Sequence, residues 1–143
     1  MPTPGYDYAV IRVVPRVERE EFVNVGVILS CPSLDFLDAR LHVDRTRLAA
    51  LDPDVDMDLV EQHLRVIPVV CRGGAEAGSI GALTTRQRFH WLVAPRSTII
   101  QMSAVHSGFC GDDPAVALDH LLQRMVLLKR RNPSDTGSSF QSP

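Results

Sequence analysis

Two polar side chains interrupt apolar segments near the N-terminus, and they are the first residues whose types could do chemistry. Arg12 lies in an apolar segment that stops at Pro15, and Asn24 lies in a second one that begins at Phe22. Because an unpaired buried charge is costly, Arg12 needs a partner, and Glu21 between the two segments is one candidate. Two interpretations stay open: a structural Arg–carboxylate pair with Asn24 holding the hairpin, or a ligand-binding group.

A second polar group lies in the segment from Pro95 to Gly108. If this segment is extended, Gln101 and Ser103 point to the same side, because side chains alternate along a strand. With a helix covering the other side, this polar side would be a recognition surface.

Arg96 and Ser97 stand at the start of that segment, and His106 stands at its end. A guanidinium suits a phosphate or carboxylate, which it can bind through two parallel hydrogen bonds. An imidazole can act as an acid or a base near neutral pH. A single histidine close to a glycine is, however, more often a turn residue bonded to the backbone.

These residues support two hypotheses for the site. In the first, they bind a ligand without catalysis, through Arg12, Asn24, Arg96, Ser97, Gln101 and Ser103. In the second, the protein is a small hydrolase or phosphoryl-handling enzyme in which Glu21 and His106 are catalytic and Arg96 clamps an anion. The second hypothesis requires these groups to share one concave pocket, because acid–base catalysis needs hydrogen-bond reach.

The cysteines and glycines form no metal or nucleotide motif. Cys31, Cys71 and Cys110 lie far apart without a C-x-x-C pair, and His106 with Cys110 lacks two further zinc ligands. No Walker lysine motif occurs, and no G-x-G-x-x-G joins a strand to a helix. We therefore expect no metal, no cofactor and reduced, buried thiols.

The elements that must position these residues begin with three strands. Residues 6–14 and 22–30 are rich in β-branched and aromatic side chains, and residues 36–43 alternate apolar with polar. Short connections between them favour an antiparallel meander. Gly26, in the middle of the second strand, suggests a bulge or a close approach to the backbone. Residues 98–102 are the fourth strand candidate.

Helical signals fill the remaining positions. Asp44 or Thr46 is expected to start a short helix, Asp56 a longer one that ends or kinks at Pro68, and Thr85 a third. Asp113, which is followed by proline, is expected to start the last helix. The predicted order β-β-β-α-α-α-β-α favours an α+β fold: a mostly antiparallel sheet of about four strands with helices packed on one face. We expect one domain over residues 1–128 and a disordered tail over residues 129–143.

Charge and composition limit the function classes. The chain has 143 residues and a net charge of −2, which argues against a protein built to hold nucleic acid. Arg86 and Arg88 are basic, but their spacing beside Phe89 and Leu92 predicts a solvated helix face. No signal peptide and no apolar run of about 20 residues occurs, so we expect a cytoplasmic protein that is not bound to a membrane.

Several segments resemble one known family. They are Tyr8 to Pro15, Glu21 to Val27, Phe89 to Leu92, and Pro95 to Thr98 continuing to His106-Ser107-Gly108. Over residues 6 to 128 the chain resembles the bacterial domain of unknown function 3037 family. The polar residues that fall on these segments are Arg12, Glu21, Asn24, Arg96, Ser97, Gln101, Ser103 and His106. The resemblance implies an accessory role, because members are often encoded beside HipA-like kinases.

The hypothesis that we favour at this point is a non-catalytic binding or accessory module with a kinase-like protein partner. The enzyme that uses His106 and Glu21 with Arg96 is the alternative. Convergence of the polar residues on one pocket would favour a ligand site, and scattering would favour structural roles.

Overall fold

The centre of the fold is an antiparallel pair of long strands, β1 (Gly5–Val13) and β2 (Val23–Cys31). β3 (Phe36–Leu41) pairs with the outer side of β2, which completes the predicted meander. The computed structural model describes residues 4–96, 98–109, 111 and 113–128. Ser97, Cys110 and the tail predicted over residues 129–143 lie outside the described residues.

Two short strands share the other side of β1. β4 (Ile100–Met102) pairs with the end of β1 at Val13, and β5 (His106–Phe109) pairs with the start of β1 at Gly5. The sheet order is β3-β2-β1-β4, with β5 also on β1. The prediction of an α+β fold built on an N-terminal meander and a later strand is confirmed. β5 is a further strand that the sequence analysis did not predict, because its sequence is short and contains a glycine.

A bulge divides the β1–β2 pair. Ile11 lies opposite Gly26, and Arg12 lies opposite Asn24, so that Val25 is an extra residue on β2. At Gly26 a Cβ atom would lie 2.6 Å from the carbonyl oxygen of Arg40 on β3, closer than real Cβ contacts allow. The bulge therefore coincides with a close approach of two backbones, and both features that Gly26 suggested in the sequence are present.

Both faces of the sheet are covered by helices. Four helices and the sheet enclose a core that includes Ile11, Val25 and Phe89. These helices are α1 (Arg45–Leu51), α2 (Met57–Leu64), α3 (Val66–Arg72) and α4 (Thr85–Val93). A second core on the other face joins Leu29 of β2 to Leu118 of the fifth helix.

The fifth helix, α5 (Pro114–Met125), packs on β2 and β3 from this second face. The expectation of helices on one face therefore holds for α1–α4 and is wrong for α5. The physical reason is that β2 is apolar on both faces. Val27, Leu29 and Cys31 are fully buried there and need their own cover.

The helix starts follow the capping signals of the sequence. Asp44, Asp56 and Asp113 each accept a hydrogen bond from a backbone N–H of the first turn. The third cap is Thr84 rather than Thr85, because Thr84 and Gln87 form a reciprocal capping box. The long helix expected after Asp56 is divided into α2 and α3. The glycine-rich segment before α4 contains a 3₁₀ helix (Ala75–Ala82) that kinks at Gly78.

The prediction that Arg86 and Arg88 form a solvated face is wrong. Arg88 is buried and donates hydrogen bonds to the carbonyl oxygens of Val70, Cys71 and Leu83. Two of these carbonyls belong to the last turn of α3, where the helix leaves them without internal partners. Arg88 thus joins α4 to the end of α3.

Arg86 joins α4 to the sheet through Asp7 on β1. Its guanidinium donates to the Asp7 carboxylate at 2.5 Å and to the Ser30 hydroxyl at 3.1 Å. The hydroxyl of Ser107 on β5 donates to the other carboxylate oxygen of Asp7 at 2.6 Å. The Ser107 hydrogen bond and the Arg86 guanidinium outweigh partial burial and lower the pKa of Asp7 below its usual value.

No helix in the described part of the chain is long and apolar enough to cross a membrane.

We predict that Gly26→Ala lowers the free energy of unfolding by about 1–3 kcal/mol, because the added methyl group must push β3 away from the bulge. Urea denaturation measures this change. The matched control is Gly5→Ala on β1, where a Cβ atom would meet nothing closer than 3.8 Å. A Gly26→Ala variant as stable as the Gly5→Ala variant would contradict the close approach.

We predict that Asp7→Asn lowers the free energy of unfolding at pH 7 by about 1–2 kcal/mol, because two charge-assisted hydrogen bonds are weakened. The lowered pKa of Asp7 means that its stabilisation is present above the unfolded-state value and is lost as the pH falls through the folded-state value. The difference between wild type and variant should therefore shrink in acid. Denaturation curves at pH 7 and pH 3 test this, with Asp54→Asn as the exposed control.

Candidate binding site

Three of the predicted site residues meet at one place. Arg12, Arg96 and Gln101 line a single cleft of about 420 Å³. Its wall is completed by Val14, Val17, Glu20 and Phe22. We call this set of residues the basic cleft. Arg12 and Gln101 lie directly opposite each other in the β1–β4 register, so the sheet itself fixes their proximity.

Arg12 is held by an aromatic ring instead of a carboxylate. Its guanidinium carbon lies 4.1 Å from the centroid of the Phe22 ring, a cation–π contact. Its Nε atom is buried and has no hydrogen-bond partner among the described residues. The partner that the sequence suggested, Glu21, instead accepts a hydrogen bond from Arg19 at 2.5 Å. The positive charge of Arg12 is therefore not neutralised by a carboxylate among the described residues.

Arg96 is held in a similar way. Its guanidinium carbon lies 4.5 Å from the centroid of the Trp91 ring, and its Nη2 atom donates to the Trp91 carbonyl oxygen at 2.7 Å. Neither Arg12 nor Arg96 forms an ion pair within the described residues. Most other arginines that the structure describes do, namely Arg16, Arg19, Arg40, Arg45, Arg72 and Arg86.

The basic cleft carries a net positive charge. Glu20 is its one carboxylate among the described lining residues, against the two guanidinium groups. Gln101 adds a neutral polar group, and its side-chain amide donates to the Thr98 carbonyl oxygen at 2.9 Å. Its amide oxygen remains an acceptor. The chemistry of the cleft therefore suits a carboxylate or a phosphate group.

A larger cavity of about 510 Å³ lies against the opposite face of β4. It is lined mainly by apolar side chains from β4, from the α2–α3 junction and from the end of α4, including Val66, Ile67, Trp91, Leu92, Ile100 and Met102. We call it the apolar cavity. Gln62 and His63 add polar groups to it, and Arg96 and Gln101 border both this cavity and the basic cleft.

The two sites lie on opposite faces because of the strand register. Ile100 and Met102 lie opposite Val13 and Ile11, whose side chains belong to the core under α1–α4. Gln101 lies opposite Arg12 and thus faces the side that α5 covers. β4 therefore forms a thin wall between an apolar cavity and a basic cleft.

Asn24 has a structural role next to this site. Its Nδ2 atom donates to the carbonyl oxygen of Met125 at 3.1 Å and so fixes the end of α5 to β2. Its Oδ1 atom is buried without a hydrogen-bond partner among the described residues. Asn24 lies opposite Arg12 in the strand register. The Asn24 Oδ1 atom and the Arg12 Nε atom, both without a hydrogen-bond partner among the described residues, therefore lie on neighbouring strands. Asn24 does not line the basic cleft.

Ser103 is also structural. Its hydroxyl accepts from the Val10 N–H at 2.8 Å and donates to the Ala104 carbonyl oxygen at 2.9 Å. Its own N–H donates to the Val10 carbonyl oxygen. The side chain thus replaces a backbone acceptor where β4 ends, and it is buried away from both sites. Ser97, the remaining predicted ligand-binding residue, lies outside the described residues.

The structure does not bring Glu21 and His106 together. His106 lies opposite Tyr8, and the two rings are 5.4 Å apart. Glu21 precedes Val23, which lies opposite Val13 at the other end of β1. Five residues of strand separate these positions, which corresponds to roughly 16 Å. The small cleft that Glu21 lines with Pro15 and Asp52 does not include His106, so at this separation the pair cannot share one reacting group.

The described cysteines do not supply an alternative nucleophile. Burial raises the pKa of the Cys71 thiol to about 12, so that it is protonated at neutral pH. Cys31 is buried within the core under α5. Within the described residues, no three His, Cys, Asp or Glu side chains are placed to hold one metal ion.

The sequence did not reveal two parts of the site. One is the apolar cavity, whose residues come from α2, α3, α4 and β4 and become neighbours only after folding. The other is the stacking of each arginine on a ring. A signal for it was present, because Trp91 precedes Arg96 by five residues and Phe22 directly precedes β2, the strand that pairs with β1 at Arg12.

Comparisons with known proteins identify the family. The family model described as "Protein of unknown function (DUF3037)" matches residues 8–126, which is most of the chain. No curated protein and no solved structure matches the chain. The match includes all described residues of the basic cleft, which lie between residues 12 and 101. The chain belongs to the DUF3037 family.

Proposed function

We propose that this protein is a non-catalytic binding module that holds an acidic segment of a partner protein at β4. The observation that supports this most is the convergence of Arg12, Arg96 and Gln101 on the basic cleft. They come from two segments that are far apart in the chain, and only the fold brings them together.

The two arginines are arranged to bind an anion. A guanidinium that rests on an aromatic face keeps its in-plane N–H groups available for a ligand. Because Phe22 and Trp91 fix the positions of Arg12 and Arg96, little side-chain entropy is lost when an acidic group arrives. Charge-assisted hydrogen bonds to a carboxylate are among the stronger polar contacts in proteins.

The composition of the basic cleft supports binding rather than catalysis. Its described lining contains one carboxylate, Glu20, and no histidine, cysteine or serine that could act with it as a nucleophile or a base. His106 lies opposite Tyr8, whereas Glu21 lies beyond the Val13 end of β1. The two catalytic residues that the enzyme hypothesis requires are therefore not adjacent.

A protein partner explains both sites at β4 together. An acidic side chain would enter the basic cleft while an apolar side chain of the same segment fills the apolar cavity. The volume of about 510 Å³ lies in the range of typical ligand sites and accommodates a large aliphatic or aromatic side chain. The partner class that the family resemblance implies is a HipA-like kinase in the bacterial cytoplasm.

The proposal predicts acid-dependent peptide binding. A library of random linear peptides of about twelve residues is displayed and selected on the full-length protein. We expect enriched peptides to contain aspartate or glutamate, and to bind Arg96→Ala at least tenfold more weakly, as the loss of charge-assisted hydrogen bonds requires. Weaker binding at high salt is also expected.

The matched control is Arg124→Ala, which removes the same charge from the exposed side of α5 and should bind like the wild type. Circular dichroism confirms that both variants are folded. Selection of no peptide above background would contradict the proposal. So would enriched peptides whose binding is equally affected by the two substitutions.

A further inference from the structure

We infer that the partner segment binds as an added β-strand along the open edge of β4, with apolar and acidic side chains alternating. This inference rests on the proposed function and specifies the conformation and the sequence pattern of the bound segment.

The backbone of β4 presents unused hydrogen-bonding groups to the outside of the sheet. The Val14 N–H donates to the Ile99 carbonyl oxygen, and the Ser103 N–H donates to the Val10 carbonyl oxygen. Residues 99, 101 and 103 therefore point their backbone groups towards β1, and Ile100 and Met102 point theirs away from it. β4 is the last strand in the sheet order, so no further strand formed by the described residues covers that side.

One of these outward groups is already used within the chain. The Thr98 hydroxyl donates to the Ile100 carbonyl oxygen at 2.6 Å. Among the described residues, no backbone hydrogen bond engages the Ile100 N–H, the Met102 N–H or the Met102 carbonyl oxygen. Two donors and one acceptor are thus without a partner among the described residues, and they follow the spacing of a β-ladder.

The two edges of the sheet differ in their protection. On β3, Asp38 and Arg40 form an ion pair, and Arg40 also pairs with Asp119 of α5. Such charged side chains hinder the pairing of an edge with another chain. β4 has the sequence Ile-Gln-Met, without a charge or a proline. The edge that borders the basic cleft is therefore the one open to strand addition.

The positions of the two sites determine the sequence pattern. Successive side chains of an added strand point to opposite faces of the sheet. One side chain would therefore lie over the apolar cavity beside Ile100 and Met102, and its neighbour would reach Arg12 and Arg96 in the basic cleft. An apolar residue directly next to an acidic one meets this requirement. A helical segment does not, because its neighbouring residues cannot enter two sites separated by a strand.

The added strand must be short. β4 spans three residues, about 10 Å, before Ser103 bonds its side chain to Val10 and ends the regular edge. A central triplet that alternates apolar, acidic and apolar residues is therefore the recognised unit.

The test uses a capped seven-residue peptide with leucine, glutamate and leucine at its centre, flanked by threonines. The matched control has the same composition, but a threonine separates glutamate from each leucine, so that glutamate and both leucines fall on the same face of the strand. We expect the alternating peptide to bind the full-length protein at least tenfold more tightly than the control. We also expect it to slow amide exchange at Ile100 and Met102 at least tenfold, measured by NMR.

A second measurement methylates the peptide backbone nitrogen, either at glutamate or at the following leucine. Because alternate N–H groups of a strand point to one side, one of these two changes should abolish binding and the other should leave it nearly unchanged. Equal effects of the two changes would overturn strand addition.

The remaining outcomes separate the two proposals. If the peptide binds and Arg96→Ala weakens it, but the exchange of Ile100 and Met102 is unchanged, strand addition is wrong and the acidic binding site stands. If no acidic peptide binds, the proposed function itself fails. The amides of Ile100 and Met102 could already be protected from exchange in the free protein. If dilution removes that protection, a second copy occupies the edge, and if removal of residues 129–143 removes it, this chain's own tail does. Either result also overturns the inference.

Discussion

The bulge at Val25 is the constraint on which the arrangement of the other side chains depends. It places Asn24 opposite Arg12, on the face that α5 covers, instead of in the core under α1–α4. The extra residue stands beside Gly26, where β2 and β3 approach each other more closely than a side chain would permit. Without this shift, Asn24 would place a polar amide in an apolar core, and the hydrogen bond that fixes the end of α5 to β2 would be lost.

The same face then receives Gln101, because β4 pairs with β1 in a register that sets Gln101 opposite Arg12. Arg96 reaches this place from the connection before β4. The partners of the arginines depend on their position in the fold. Arginines that hold elements together bind carboxylates or carbonyl oxygens, as Arg86 and Arg88 do. Arg12 and Arg96 rest on rings beside the edge of the sheet, and neither forms an ion pair within the described residues.

Local signals in the sequence were sufficient for the strands of the meander, for the helix caps at Asp44, Asp56 and Asp113, and for the importance of Gly26. These local signals were not sufficient where contacts between distant parts of the chain determine the structure. The position of α5 depends on which face of β2 the other helices leave uncovered. The burial of Arg88 depends on the carbonyl groups at the end of α3, and the residue spacing within α4 contains no information about them. Of the predicted site, Arg12 and Gln101 could be identified as polar residues in apolar strands, and Arg96 as a charged residue at the start of such a segment. Strand alternation alone could not distinguish Gln101 from Ser103, whose hydroxyl replaces a backbone acceptor.

The most direct measurement of the central claim is an NMR titration of the arginine side chains with N-acetyl-aspartate. The claim is that Arg12 and Arg96 form one anion site with Gln101. It predicts that the Nε–H signals of both arginines and the side-chain amide signal of Gln101 shift with one shared dissociation constant. The Arg45 signal, whose guanidinium is paired with Glu61, should stay in place. Different constants for Arg12 and Arg96, or shifts no larger than that of Arg45, would contradict the account.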